Sequence, residues 1–393
     1  MDAPDSRSEP RRLQADKQVN RDICIQALTT MGLARDPWIA RALATVDREA
    51  FVPPGVWLSV ENADGLWQFV DKGVDPELWA RAVWDPHCSV VTQLDDGRVQ
   101  PSGPSSGDFT SSVSALDVVM RKLHHLNLHP DHRVLEIGYG SGYHTALLCE
   151  RVSSERVTAV EVDEALATWG ASNLKAAGYA PELIHGDGLE GARPLTLFDR
   201  VINTASLRRV PFAWIEQTRT DGVILTPFGT AYSNAGLLRL SVNRDAAQGQ
   251  FVGEAAYMWA RSERPVVALQ LSGDPVIRPS PIDPAQVLGG TYLQDFAIGL
   301  QVPDVTCSHR GEGSERQVQF VDEAGTSATI VNYGDWWDAH AVRSWGPRDL
   351  WAEVTAAYTW YEEHDRPHIT RFGVTVERDE QRVWLDTPDQ LIG

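Results

Sequence analysis

Val134-Leu135-Glu136-Ile137-Gly138-Tyr139-Gly140-Ser141-Gly142-Tyr143 is an apolar run that enters a loop with glycine at alternate positions, followed by the helix-forming Thr145-Ala146-Leu147-Leu148. The pattern reads strand, tight turn, helix. Glycines in such a turn permit positive φ and let a ligand approach bare backbone. The helix behind them offers N–H groups that have no intrahelical acceptor.

The residues that follow supply other parts of a nucleoside pocket in order. Val157-Thr158-Ala159-Val160-Glu161 is a second apolar strand that ends in a carboxylate about twenty residues on, where an acid can accept both ribose hydroxyls. His185-Gly186-Asp187-Gly188 follows Leu183-Ile184, and Asp187 there can take the exocyclic amine of adenine. Phe198-Asp199-Arg200-Val201-Ile202-Asn203-Thr204 and Gly222-Val223-Ile224-Leu225-Thr226-Pro227 read as a fourth and a fifth strand. Strands alternating with helices imply an α/β fold with a parallel sheet and its ligand at the carboxyl edge. A dinucleotide dehydrogenase would begin in the same way. Here, however, the spacing is Gly-x-Gly-x-Gly, and an acid, Glu136, stands two places before the first glycine.

On these residues the chain resembles Rossmann-like class I S-adenosylmethionine (SAM) methyltransferases, and within them the protein L-isoaspartyl O-methyltransferase family, from Val46 to Gly229. Asp47-Arg48-Glu49-Ala50-Phe51-Val52-Pro53 looks like that family's opening motif, and Val134 to Tyr143 like its cofactor loop. Gly186-Asp187-Gly188, Thr204-Ala205 and Pro227-Phe228-Gly229 fall at its later positions. The resemblance implies SAM as cofactor. Gly138, Gly140 and Gly142, with Glu136, Ser141 and Tyr143, would cradle its amino-acid end; Glu161 would take the ribose and Asp187 the adenine, beside Gly186, Gly188 and Thr204.

The isoaspartyl repair enzymes carry Thr-Ile-Ser-Gln-Pro some way before the cofactor loop, where hydroxyls meet the substrate carboxylate. Counting back from Val134, that place falls on Ser112-Val113-Ser114, and glutamine and proline become Ala115 and Leu116. The surroundings, Phe109-Thr110-Ser111-Ser112-Val113-Ser114, read as a run of hydroxyls opening a helix. Any one of them suits an N-cap. Four in six residues exceed what a cap needs, so Ser112, Ser114 and Ser111 are expected to face substrate. Together with the long C-terminal extension, this departure resembles the isoaspartyl-methyltransferase-like tailoring enzymes of ribosomally made peptides, the lanthipeptides and graspetides. Those methylate an aspartate of a cyclised precursor, and the ester then closes to succinimide or isoaspartate.

At 393 residues the chain can hold two or three domains. Its net charge of -19 argues against a phosphate backbone or an anionic membrane face as partner, and favours a cationic one or simply a solvated surface. Cys24, Cys88, Cys149 and Cys307 lie far apart, with no metal or disulfide spacing, which suits a reducing cytoplasm. No secretion signal or membrane span is expected from the apolar runs.

Residues 1–20 are polar and read as a disordered tail. Two short amphipathic helices are expected between Arg21 and Val46, and a tryptophan-rich insertion near 55–85 carries Trp57, Trp67, Trp79 and Trp84. The methyltransferase domain is expected over 21–235, and an α+β accessory domain, a possible precursor-peptide binder, over 236–393. In the latter, Phe251–Ala260 and Val266–Leu271 read as strands, Val276–Pro284 as a linker, Val318–Val331 as a hairpin, Pro347–His364 as a helix, and Phe372–Val376 with Val383–Leu385 as a last hairpin. His340, His364 and His368 lack metal-ligand spacing, and His144 reads simply as a helix residue. The resulting expectation is SAM-dependent O-methylation of an aspartate carboxylate in a modified precursor peptide. Repair of isoaspartate in damaged proteins and a non-catalytic SAM-binding scaffold are the alternatives.

Overall fold

The structure, a computed structural model, describes residues 8–192, 197–265, 270 and 273–392. Two compact units divide the chain: Met1–Thr204 with Gln217–Val223, and Ala205–Glu216 with Ile224–Gly393.

The first unit opens with helices α1 (Ser8–Thr30) and α2 (Pro37–Thr45). Residues 8–20, expected as tail, therefore belong to a helix, while 1–7 lie outside the described residues. Asp36 caps α2, its carboxylate accepting from Trp38 N, and Pro37 takes the first turn, where a missing N–H costs nothing. The insertion contributes β1 (Gly55–Glu61), β2 (Trp67–Asp71) and α3 (Pro76–Trp84), followed by β3 (Val90–Leu94) and β4 (Phe109–Val113). These strands form an antiparallel sheet in the order β2-β1-β3-β4. Its tryptophans are core: Trp57 and Trp79 are fully buried, and the ring nitrogens of Trp57, Trp67 and Trp79 donate to the carbonyls of Gly103, Gly107 and Pro53 at 2.8–3.0 Å.

Next come α4 (Leu116–Leu126), β5 (Val134–Ile137), α5 (Tyr143–Val152), β6 (Val157–Glu161), α6 (Glu164–Ala176), β7 (Glu182–His185) and β8 (Phe198–Asn203). β5 pairs in parallel with β6 on one side and β8 on the other, and β6 with β7. Because every residue of β5 and β6 is buried, both strands read as continuous apolar runs. The chain leaves this unit partway along β9 (Thr218–Gly229), a neighbour of β8 in the sheet.

The second unit holds α7 (Phe212–Glu216) and the rest of β9, then β10 (Asn234–Asn243) and β11 (Ala246–Glu254). It continues with β12 (Val276–Arg278), α8 (Pro284–Leu288), α9 (Tyr292–Gln301), β13 (Val305–Arg310), β14 (Gln317–Asp322), β15 (Ala328–Asn332), β16 (Val342–Trp345), α10 (Leu350–Glu363), β17 (Phe372–Val376) and β18 (Gln381–Leu385). Strands β18-β17-β11-β10-β9 are neighbours in one sheet and β12-β16-β15-β14-β13 in another. The expected hairpins are β14–β15 and β17–β18, and the expected helix is α10, capped by Asp349. Val276–Pro284 is not a free linker, since β12 pairs with β16 and Ser280 accepts from the Trp351 indole at 2.9 Å. The strand expected over Val266–Leu271 lies almost wholly outside the described residues. Trp351 and Trp384 are buried, whereas Trp337 is 64% exposed. No helix among the described residues is long and apolar enough to cross a membrane.

Candidate active site

Parallel pairing brings the carboxyl ends of β5, β6, β7 and β8 to one edge, and with them the loops that carry most of the expected site residues. The loop 138–142 leaves β5 with Gly138, Gly140 and Gly142 all at positive φ, between +47° and +85°. At Gly142, the N-cap of α5, a Cβ would also stand 2.7 Å from Leu174, so neither backbone nor packing tolerates a side chain. Gly140 differs. A Cβ there would make only ordinary contact with Ser111 Oγ, 3.8 Å away, so packing leaves room beside Gly140 that Gly138 and Gly142 lack.

Hydrogen bonds hold the loop from behind. Gly138 N donates to the Val160 carbonyl and Gly142 N to that of Tyr139; Ser141 accepts from the Asn173 side chain on α6 at 3.0 Å, and the Tyr139 hydroxyl reaches the Ala167 carbonyl. Gly142 has no side chain and so offers α5 no cap of its own. The Ser141 hydroxyl makes only a long contact, 3.4 Å, with Tyr143 N.

Glu161 ends β6 almost completely buried. One carboxylate oxygen accepts from Gly140 N at 2.9 Å and the other from Asp163 N at 3.0 Å. Burial raises its carboxyl above the ordinary range, against the pull of those donors. Asp187, after β7, is exposed and caps a short turn through Leu189 N; Gly186 N donates to the Glu161 carbonyl, and Gly188 packs against Ile137 with no room for a Cβ. The Thr204 hydroxyl donates to the Ile137 carbonyl at 2.9 Å and so ties β8 to the start of the loop.

The hydroxyl run does not open a helix. Phe109–Val113 is strand β4, and α4 starts after Ala115, an N-cap with no side-chain hydrogen bond. Pairing with β3 satisfies the backbone that a capped helix start would have left open: Val91 faces Ser112 and Gln93 faces Ser111. Strand alternation then separates the serines. Ser111 is buried, receives a hydrogen bond from Thr92 Oγ1 at 3.0 Å and stands opposite Gly140. Ser112 and Ser114 are partly exposed, and neither side chain has a hydrogen-bond partner among the described residues.

Glu136, expected at the cofactor's amino-acid end, lies beneath the loop with two residues that were not expected as site members, His144 and Lys122. Glu136 is fully buried, with Oε1 2.7 Å from His144 Nδ1 and Oε2 without a partner. Lys122, also buried, donates to the Asn203 carbonyl at 2.7 Å; burial pushes its amine down to about 7, opposed by the charge of Glu136. A sequence signal for Lys122 exists: it falls on the same stripe of α4 as Val119 and Leu126, where a lysine has no reason to be unless it is paired. His144 has none, since periodicity alone cannot tell a buried histidine from an exposed one.

The family profile for protein-L-isoaspartate (D-aspartate) O-methyltransferase matches residues 102–259. A protein-L-isoaspartate O-methyltransferase of Methanopyrus kandleri is 31% identical over 212 residues, which are 53% of this chain and 76% of that protein. The chain belongs to this family. A second such enzyme, from Rhodopseudomonas palustris, is 35% identical over 34% of this chain and spans 61% of its own length. Among solved structures, a protein-L-isoaspartate O-methyltransferase superposes with a TM-score of 0.52 at 16% identity, covering 93% of this chain and all of that one, a likeness of fold. The protein is thus a SAM-dependent carboxyl O-methyltransferase of a family that acts on peptides and proteins. Its residues fit that cofactor: the room beside Gly140, the start of α5 that Gly142 leaves without a side-chain cap of its own, and the unpaired Glu136 oxygen suit a zwitterionic amino-acid end.

Proposed function

We propose that this methyltransferase esterifies an aspartate side chain in a ribosomally made, cyclised precursor peptide in the cytoplasm, and that the ester closes to succinimide or isoaspartate. The observation that carries this reading is the pair of unpartnered hydroxyls, Ser112 and Ser114, next to the buried Ala115 and Leu116 that stand where the repair enzymes have glutamine and proline. When bound, SAM supplies a methyl group on a positively charged sulfur, and a carboxylate oxygen takes it with no proton to move. Gly138, Gly140, Gly142, Ser141 and Tyr143 would hold the amino-acid end with Glu136, Glu161 the ribose, and Gly186, Asp187 and Gly188 the adenine, with Thr204 bracing the loop.

An aspartate carboxyl is ionised at neutral pH, so no general base is required. What remains is orientation. Ser112 and Ser114 would donate to one carboxylate oxygen and leave the other free to attack, and Ser111 would keep the strand facing the loop. Neutral donors suit the task, because a strong anion site would stabilise the reactant more than the transition state. The accessory domain is proposed to hold the precursor, with exposed Trp337 as one contact.

A second reading, repair of isoaspartate, draws on the name carried by the relatives themselves. Mass spectrometry separates the two. The enzyme is incubated with SAM and either an isoaspartyl peptide or the cyclised precursor encoded beside its gene. Methyl gain on the precursor, followed by methanol loss, supports peptide maturation; methylation of the isoaspartyl peptide alone returns the protein to repair. In either case Ser112→Ala with Ser114→Ala should lower turnover and leave affinity for S-adenosylhomocysteine nearly intact.

A further inference from the structure

Arg48 lies in the opening motif, which the site described so far leaves without a role. Its side chain is fully buried, and among the described residues no carboxylate is paired with it. Instead it spends its donors on three carbonyls: Nε on Val83 at 2.8 Å, and Nη2 on Val113 at 3.3 Å and Ser114 at 2.8 Å. Arg48 Cζ lies over the ring of Tyr143, the first residue of α5, 4.9 Å from its centre, and Phe51 of the same motif meets that ring edge-on at 5.8 Å. Nη1 and the Tyr143 hydroxyl, both buried, make no geometrically sound hydrogen bond.

A buried cation without a counter-ion is costly. Burial accordingly lowers the pKa of Arg48 and raises that of Tyr143 to about 12. Something must justify such a residue. Val113 is the last residue of β4, so beyond it the backbone has left the sheet and its carbonyls need other donors. Val83 lies in the last turn of α3, where a cation is favoured and a carbonyl lacks an intrahelical donor. A single rigid plane thereby fixes the backbone that carries Ser114 against the first residue of the cofactor helix.

Resting on the proposed role of Ser112 and Ser114, we infer that Arg48 is a positioning residue for methyl transfer: it sets the separation between these serines and the cofactor loop. It touches neither substrate nor cofactor. Lysine cannot replace it, because an ammonium lacks the planar fork that serves several carbonyls at once.

The test combines Arg48→Lys with the double variant Ser112→Ala, Ser114→Ala in a cycle. Turnover is measured with radiolabelled SAM on whichever probe the wild type methylates, the isoaspartyl peptide or the cyclised precursor. Affinity for S-adenosylhomocysteine and the melting temperature are measured alongside. The expected result is a loss in turnover of about tenfold or more for Arg48→Lys, with cofactor-product affinity within about threefold, and little further loss when it is added to the serine variant. Unchanged turnover overturns the inference. If both variants lose turnover but their effects multiply, Arg48 acts elsewhere and this inference alone fails. If the serine variant keeps full turnover, the reading of the serines fails and takes Arg48 with it. Should Arg48→Lys not fold at the assay temperature, Arg48→Ala is assayed with added ethylguanidinium. Return of turnover supports the role, and return of the melting temperature without turnover refutes it.

Discussion

Gly170, in the middle of α6, tests how tightly the cofactor loop is set. A glycine inside a helix is unfavourable by up to about 1 kcal/mol relative to alanine, so Gly170→Ala should stabilise α6 if nothing else intervened. Here the added Cβ would stand 2.2 Å from the Gly140 carbonyl oxygen and 3.0 Å from the Tyr139 ring. Ordinary contact begins near 3.4 Å, so loop and helix must separate by 3.4 − 2.2 = 1.2 Å. That displacement acts on Gly140, whose N–H holds Glu161, and on the start of α5. We therefore expect affinity for S-adenosylhomocysteine to fall by about tenfold or more, equivalent to about 1.4 kcal/mol, while helicity by circular dichroism is retained. Isothermal titration calorimetry against the wild type measures it. A higher melting temperature with affinity unchanged within twofold would refute the reasoning, since it would mean the loop yields freely and its geometry is not set by α6.

Two further outcomes follow from buried groups. The amine of Lys122 falls from an ordinary 10.5 to about 7, so between those values the unfolded chain binds more protons than the folded one, and stability rises with pH across that window by at most about 1.4 kcal/mol per unit. Urea unfolding between pH 7 and 9 should show this slope in the wild type and lose it in Lys122→Met; equal slopes count against a buried, depressed amine. Trp57→Ala removes a fully buried indole that donates to Gly103 and packs against Phe69 at 5.6 Å. It should cost about 3–5 kcal/mol in denaturant unfolding without altering S-adenosylhomocysteine affinity at low denaturant, and a proportionate loss of affinity would show that the inserted sheet shapes the cofactor site.

The parallel sheet was legible because its signals are local: apolar runs of strand length, alternate glycines, and acids at the strand ends that need no partner distant in sequence to be recognised. The insertion was legible only as a surplus of tryptophan. That it builds a second sheet depends on pairings such as Trp57 with Val91, which no local pattern announces. The hydroxyl run was misread as a helix start for the same reason. Serine and threonine favour caps by propensity, and β3, which turns them into a strand, lies about twenty residues earlier along the chain and is recognised only by its register. Glu136 was visible by its spacing from the glycines; its contact with His144 was not, because periodicity does not mark it, and Lys122, legible only as a lysine on an apolar stripe, feels its charge from a different helix.

Methyl transfer from a sulfonium to a carboxylate consumes one positive and one negative charge, so full charges fixed beside the reacting atoms would stabilise the reactants more than the transition state. The first unit nevertheless buries two basic side chains, Arg48 behind the end of β4 and Lys122 beneath the cofactor loop. Each is turned onto backbone: Arg48 onto the carbonyls of Val83, Val113 and Ser114, and Lys122 onto that of Asn203 at the end of β8. Neutral side chains could satisfy some of these acceptors at lower desolvation cost, but none spans several carbonyls on separate elements. Basic groups turned onto backbone carbonyls in this way order a strand end and a loop from within the core. Under the proposed function, the groups that would meet a carboxylate are the hydroxyls of Ser112 and Ser114, neutral donors that would not trap it.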